Sequence, residues 1–207
     1  MCRLLWVVVL LLSVGKVAAE PVPTLFSSHS ISTVVAGIDL QGDARQQRQL
    51  NRWLMEIAQI PVGFSTLAAI SRSHHQLTIK HSAAARLSAG RTIAPMTNDL
   101  INGIGANVTI LFDMDMEDQG THRVYGVADQ LIEFTAIQNL FHELVHAKHQ
   151  MRGTWRYFAS ERQAIEEEND FRRQLALHHN QPLQLRYRQA GVPIDQVDAA
   201  TASAPAL

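Results

Sequence analysis

Apolar and polar side chains recur along the chain with two periods, which predict helices in some segments and strands in others. Residues 44–58 have the helical period, because their large apolar side chains return every three or four positions. Residues 76–80 alternate as a strand does, residues 108–112 form a short apolar run, and residues 124–127 predict a short edge strand. From about residue 133 the pattern is mostly helical. This mixture of short strands and helices predicts an α+β fold.

The first nineteen residues have a different pattern from the rest of the chain. Arg3 supplies a positive charge, and residues 4–14 form an almost unbroken apolar run. Val17 and Ala19 are small residues at the two positions that signal peptidase recognises, which predicts a signal peptide over 1–19 that is cleaved after Ala19. A membrane-spanning helix needs about twenty apolar residues, so this run is too short to form a stable anchor. We therefore expect a secreted or periplasmic protein.

Composition and charge narrow the class of protein further. The chain has 207 residues, with 18 Lys and Arg against 19 Asp and Glu, so its formal net charge is −1. A nucleic-acid partner would require an excess of basic residues, which this chain lacks, so we expect no nucleic-acid partner. Loss of the signal peptide also removes Cys2, the only cysteine, so the mature protein has no disulfide or thiol chemistry. We expect one monomeric domain over residues 20–190 and a disordered tail over 191–207.

The motif that carries chemistry is His-Glu-Leu-Val-His at residues 142–146. In a helix, His142 and His146 lie one turn apart, and their ring nitrogens can converge on one zinc ion. Glu143 points past the metal, which suits a general base acting on a zinc-bound water. An apolar stripe on the opposite side of the helix supports this prediction. Its members are Ile137, Leu140, Phe141, Leu144 and Val145.

A catalytic zinc ion needs a third protein ligand and one open position. The candidates lie on the next predicted helix, over residues 159–177. Glu166 follows His146 at the spacing of the thermolysin-like gluzincins, and Asp170 lies one turn later, where those enzymes carry an Asp that orients a ligating histidine. Spacing alone therefore favours Glu166 as the third ligand. Glu161 and Glu168 are seven positions apart and share a different face of the same helix.

Three segments carry a resemblance to a known family. They are HELVHAKH from His142 to His149, SERQAIEEEN from Ser160 to Asn169, and FRRQLALHHNQPLQLRYR from Phe171 to Arg188. Together they resemble the NleD-type and HopH-type metallopeptidases, which are bacterial effector zinc enzymes distantly akin to the clostridial neurotoxin light chains. The resemblance implies a zincin-like α+β fold, in which a small sheet packs on the HExxH helix and the helices that follow it. It also implies a protein substrate that belongs to a host.

The resemblance assigns roles to further residues. It implies that Glu161 is the third zinc ligand and that Glu168 and Asn169 are the Glu-Asn pair of the family pattern. Tyr187 matches the closing tyrosine, and we expect it to stabilise the oxyanion, with Arg186 as the second candidate. Two positions depart from the pattern. Ser160 stands where the family has the first Glu of a pair, and Gln184 stands where it has Arg, which leaves Arg186 and Arg188 as displaced substitutes.

The sequence thus predicts an exported zinc metalloendopeptidase that binds one zinc ion per chain. His142 and His146 are the first two ligands, and Glu161 is preferred to Glu166 as the third. Glu143 is the general base, and the substrate is a protein or peptide that adds as an extended strand to a sheet edge formed by residues 108–112. The alternative function is a secreted effector or interaction protein with a structural zinc site. The alternative route is delivery into a host cell through a needle-type apparatus.

Overall fold

The computed structural model of the protein describes residues 26–87, 90–118 and 122–193. The predicted signal peptide lies outside the described residues, as does most of the predicted tail. The helices of the described part are α1 (Ser28–Val35), α2 (Ala44–Ile57), α3 (Pro61–Ser71), α4 (Ala136–Met151) and α5 (Ser160–His179). The strands are β1 (Asp39–Gln41), β2 (Leu77–His81), β3 (Arg91–Ile93), β4 (Val108–Phe112), β5 (His122–Gly126), β6 (Leu131–Glu133) and β7 (Arg186–Pro193). The predicted α+β class is confirmed.

A mixed four-stranded sheet lies beside the helix that carries the motif. Its order is β1-β2-β4-β3, with β1, β2 and β4 parallel and β3 antiparallel to β4. The predicted strand 108–112 is β4, but it pairs on both sides and is not the sheet edge. That expectation was wrong because a short apolar run is typical of an interior parallel strand. The edge beside β4 is the three-residue strand β3.

A second sheet is antiparallel and has the order β6-β5-β7. The strand predicted at 124–127 corresponds to β5, which is central in this sheet, so its prediction as an edge strand was wrong. β7 was not predicted, and the tail predicted from Gly191 begins inside it. Local periodicity could not reveal β7, because its partner β5 lies about sixty residues earlier in the chain.

Helix α4 is the centre of the core. It contacts α2, α3, α5, β3 and β4. Four members of its predicted apolar stripe are buried, and the fifth, Ile137, is partly buried against the core. Phe141 of α4 stacks on Phe171 of α5, with ring centroids 4.3 Å apart, and both rings have no exposed surface. Burying a side chain of this size stabilises a fold by about 1.5–3 kcal/mol. The N-terminus of α4 is closed by a capping box between Thr135 and Gln138.

No single helix among the described residues is long and apolar enough to cross a membrane. Helices α2 and α3 meet that criterion only as a pair, and they are bent by 117° relative to each other.

A tight turn returns the chain from α4 to α5. Gly153 has a φ of 64°, and a Cβ atom there would lie 2.6 Å from the carbonyl oxygen of Asp99 and from the backbone nitrogen of Gly103. Both the backbone conformation and the lack of space therefore require glycine. This turn brings Glu161 back beside α4 with only fourteen residues between it and His146.

We expect Gly153→Ala to lower the free energy of unfolding by about 1–3 kcal/mol, because it strains φ and forces the turn apart. Chemical denaturation measures this change. Gly37→Ala is the matched control, since no atom lies within 4 Å of its Cβ position and its φ is not positive. Equal free energies of unfolding for the two variants would contradict the requirement at Gly153.

Candidate metal centre

Helices α4 and α5 bring three metal-ligating side chains together. The two Nε2 atoms of His142 and His146 lie 3.2 Å apart. Glu161, in the first turn of α5, places Oε2 3.4 Å from His142 Nε2 and Oε1 3.2 Å from His146 Nε2. The three side chains form a group that could hold a metal ion.

The spacing of these atoms fits zinc. Ligands at about 2.0–2.1 Å from a tetrahedral zinc ion are separated from one another by about 3.3–3.4 Å. The separations of 3.2–3.4 Å in the described structure are close to that value. Two imidazoles and a carboxylate are also a donor set that catalytic zinc sites use.

The imidazole of His142 is buried and lies between two carboxylates. Its Nε2 faces Glu161, and its Nδ1 lies 2.9 Å from Glu168 Oε2. Burial opposes a positive charge on the ring, but the hydrogen bonds with Glu161 and Glu168 outweigh burial and raise the pKa of His142 to about 9. The pocket therefore favours a positive charge at this position.

The same contacts keep the third side chain ionised. Partial burial acts to raise the pKa of Glu161, but hydrogen bonds from His142 and His146 hold it well below its usual range. Glu161 is thus a carboxylate at neutral pH, which is the form that binds a metal ion.

A buried ion cluster supports His142 from the Nδ1 side. Glu168 has no exposed surface and accepts from Arg172 Nε at 2.7 Å and from Arg186 Nη1 at 2.8 Å. Burial acts to raise the pKa of Glu168, but Arg172, His142 and Arg186 hold it well below its usual range. Both guanidinium groups also lie over the ring of Phe134. An ionised carboxylate behind a ligating histidine fixes its orientation and makes its other nitrogen a better ligand.

Glu143 is 7% exposed and is held by the edge strand β3. Thr92 donates its hydroxyl proton to Glu143 Oε2 at 2.6 Å. Gly90 leaves the space for this side chain, since a Cβ atom there would lie 2.9 Å from Glu143 Cγ. No local pattern in the sequence indicates Thr92 or Gly90, because only the pairing of β3 with β4 brings them to α4.

The structure separates the two candidates for the third ligand. Glu166 lies about 140° around α5 from Glu161, is exposed, and pairs with Arg162 at 3.6 Å. Glu168 lies only about 20° around the helix from Glu161. Both residues therefore face α4, as expected from the prediction that they share one face of the helix. The gluzincin spacing does not bring Glu166 to the imidazoles, and Asp170 pairs with Arg173 and not with His142.

The two candidates for oxyanion stabilisation lie on opposite sides of β7. Tyr187 is 66% exposed, whereas Arg186 is buried against Glu168. Neighbouring side chains of a strand point to opposite faces, which explains the difference. Arg186 Nη1 lies 3.3 Å from His142 Nδ1, on the side of the ring away from Glu161. This placement makes Arg186 a support of His142, and the role of Tyr187 stays a prediction.

One further buried polar side chain lies beside Glu143. Asn139 precedes it by one turn of α4 and is 1% exposed. Neither polar atom of its side chain forms a hydrogen bond within the described structure. Burying an amide without a partner costs about 1–3 kcal/mol. Such local costs are typical of functional sites, where the arrangement of side chains is not chosen for stability alone.

A second group of potential metal ligands lies where β2 and β4 end, formed by His81, Asp113 and Asp115. Its chemistry fits a metal less well. His81 Nδ1 accepts from the backbone N–H of Met114 at 3.3 Å, and its Nε2 faces Asp115 at 3.6 Å. Asp115 also forms an ion pair with Arg45. The guanidinium of Arg45 already balances the charge of Asp115 and would oppose a second cation, so we assign no metal to this group.

No protein-family model matches the chain, and no curated protein matches it. The resemblance to the effector metallopeptidases therefore stays a prediction from the sequence.

The metal centre predicts a pH dependence of stability in protein stripped of metal by a chelator. Because its pKa in the folded state is raised from 6.5 to about 9, protonated His142 contributes stability below pH 6.5 that is lost as the pH rises through 9. We expect the free energy of unfolding to fall by up to about 3 kcal/mol over this range. Denaturant titrations at successive pH values measure it.

His142→Asn is the control, since its amide does not titrate. In this variant the fall between pH 6.5 and 9 should be absent. In zinc-loaded protein the free energy of unfolding should also not fall over this pH range, because the metal replaces the proton on the ring. An equal fall in the Asn variant would show that another group causes it.

Proposed function

We propose that the protein is an exported zinc-dependent metalloendopeptidase with a zincin-like fold. The observation that supports this most strongly is the convergence of His142, His146 and Glu161, with Glu143 held beside them. Among the described residues, this site has three candidate protein ligands, which would leave a position open for a reacting molecule, whereas structural zinc sites have four. This ligand set favours a catalytic site over a structural one.

His142, His146 and Glu161 would hold one zinc ion per chain. When bound, zinc supplies a Lewis acid that polarises a peptide carbonyl and lowers the pKa of water. Glu168 and Arg186 keep His142 in the orientation in which Nδ1 carries the proton and Nε2 faces the metal pocket.

Glu143 is the general base of the proposed reaction. Its carboxylate takes a proton from the attacking water and later gives it to the leaving amine of the cleaved peptide. Thr92 fixes Oε2 by its hydrogen bond, which restricts the rotation of the carboxylate and leaves its other oxygen for the proton. Burial of Glu143 limits competing contacts with bulk solvent.

The edge strand β3 is suited to bind the substrate backbone. It is the outer strand of its sheet, and its residue Thr92 touches the general base. An extended peptide that adds to this edge would therefore lie beside the strand whose Thr92 contacts Glu143. Because such hydrogen bonds involve only the substrate backbone, extended segments of many different sequences can bind in this way. This is consistent with an endopeptidase.

We also propose that the protein acts outside the cell that makes it, since residues 1–19 have the pattern of a signal peptide. A host protein as substrate, and a role in virulence, follow from the resemblance to effector metallopeptidases. Tyr187 remains our candidate for oxyanion stabilisation within that proposal.

We expect Glu143→Gln to retain about one zinc ion per chain and to lose at least about a hundredfold in peptide hydrolysis. The amide keeps the shape of the carboxylate but cannot accept the proton, and general-base catalysis contributes about 10²–10⁴ in rate. Zinc content is measured by elemental analysis, and hydrolysis by cleavage of an unfolded protein substrate at matched zinc occupancy.

Glu166→Gln is the matched control, because it makes the same substitution at an exposed position outside the metal centre. It should keep both zinc and activity. Full activity of Glu143→Gln would contradict the mechanism, and loss of zinc from Glu166→Gln would contradict the ligand set.

A further inference from the structure

The side chain of Asn169 joins helix α5 to strand β7. Its Nδ2 donates to the carbonyl oxygen of Arg186 at 2.8 Å, and its Oδ1 accepts from the backbone N–H of Arg186 at 2.8 Å. The two backbone groups of one residue point to the same side of a strand, so a single amide can pair with both. Asn169 therefore pairs with the first residue of β7 as a neighbouring strand would.

Two consecutive residues of α5 hold different parts of Arg186. Asn169 holds its main chain, and Glu168 accepts from its guanidinium at 2.8 Å. The side chain of Arg186 is 5% exposed, and its guanidinium lies 5.0 Å from the ring centroid of Phe134. The position of this guanidinium thus depends on where β7 begins relative to α5.

The contacts continue from Arg186 to the metal centre. Glu168 Oε2, which accepts from Arg186, also lies 2.9 Å from Nδ1 of His142. If Arg186 shifted, the Glu168 carboxylate would either move with it, away from the imidazole, or lose its hydrogen bond with Arg186. Either change loosens the orientation of a residue whose Nε2 faces the metal pocket.

We propose that Asn169 is a positioning residue of the metal centre, which acts on His142 through Arg186 and Glu168. The inference rests on the proposed zinc site and goes beyond it, because Asn169 contacts none of the three candidate ligands. Its amide sets the start of β7, and that start places the guanidinium that holds Glu168 against His142.

Zinc affinity tests the proposal without reference to activity. Chelator competition on the full chain should give a zinc dissociation constant for Asn169→Ala about 10–100 times that of the unsubstituted protein, the range for loss of a residue that supports a metal ligand. Gln174→Ala is the matched control. Gln174 also lies on α5 and accepts from a backbone N–H of another element, Val62 at 2.9 Å, but it has no contact with the ion cluster.

The zinc dissociation constant of Gln174→Ala should therefore stay within about twofold of that of the unsubstituted protein, since the hydrogen bond of Gln174 supports only helix packing. A double-mutant cycle with Arg186→Met identifies the route: Asn169→Ala should add little to the loss that Arg186→Met causes alone. If Asn169→Ala does not fold, Asn169→Gln takes its place, since it keeps both polar groups on a longer side chain and should also weaken zinc binding.

Unchanged zinc affinity in the folded Asn169 variant would overturn the role of Asn169 and leave the proposed function standing. Additive losses in the cycle would also overturn it, because they would show that Asn169 does not act through Arg186. Failure of the unsubstituted protein to bind zinc would overturn both the proposed function and this inference.

Discussion

Two carboxylates of α5 contact the same imidazole from its two sides, and the rest of the site depends on this arrangement. Glu161 faces Nε2 of His142, and Glu168 faces Nδ1. Because the two glutamates are seven residues apart, both point to α4 only when the helices lie side by side at a fixed rotation. The stacked rings of Phe141 and Phe171 stabilise that packing. The geometry of the candidate metal centre is therefore set by the packing of two helices.

The burial of Glu168 in turn explains the second sheet. A fully buried carboxylate is costly unless charged or hydrogen-bonding partners surround it. Arg172 comes from the same helix, but Arg186 comes from β7, so that strand must lie against α5. β5 and β6 then extend β7 into a sheet, and Phe134, which follows β6, contacts both guanidinium groups. This small sheet therefore supports one residue of the candidate metal centre, His142, and has a small apolar cluster of its own.

Local patterns predicted much of the fold and part of the site. The histidine motif with its apolar stripe, the strand at residues 108–112 and the shared face of Glu161 and Glu168 all follow from short-range periodicity. The gluzincin spacing favoured Glu166, but the tight turn at Gly153 brings Glu161 beside the two imidazoles in the described structure. Pairing between distant strands decides which strand is the edge and which residue contacts Glu143. Thr92 and β7 therefore had no signal within their own segments.

We propose that His142, His146 and Glu161 form a catalytic zinc site with one open position, and a crystal structure of the zinc-loaded protein would show the ligands themselves. We expect zinc bound by Nε2 of both histidines and an oxygen of Glu161 at about 2.0–2.2 Å, with the fourth position taken by a solvent molecule. A fourth protein ligand in that position, or a zinc ion bound by Glu166 in place of Glu161, would contradict it.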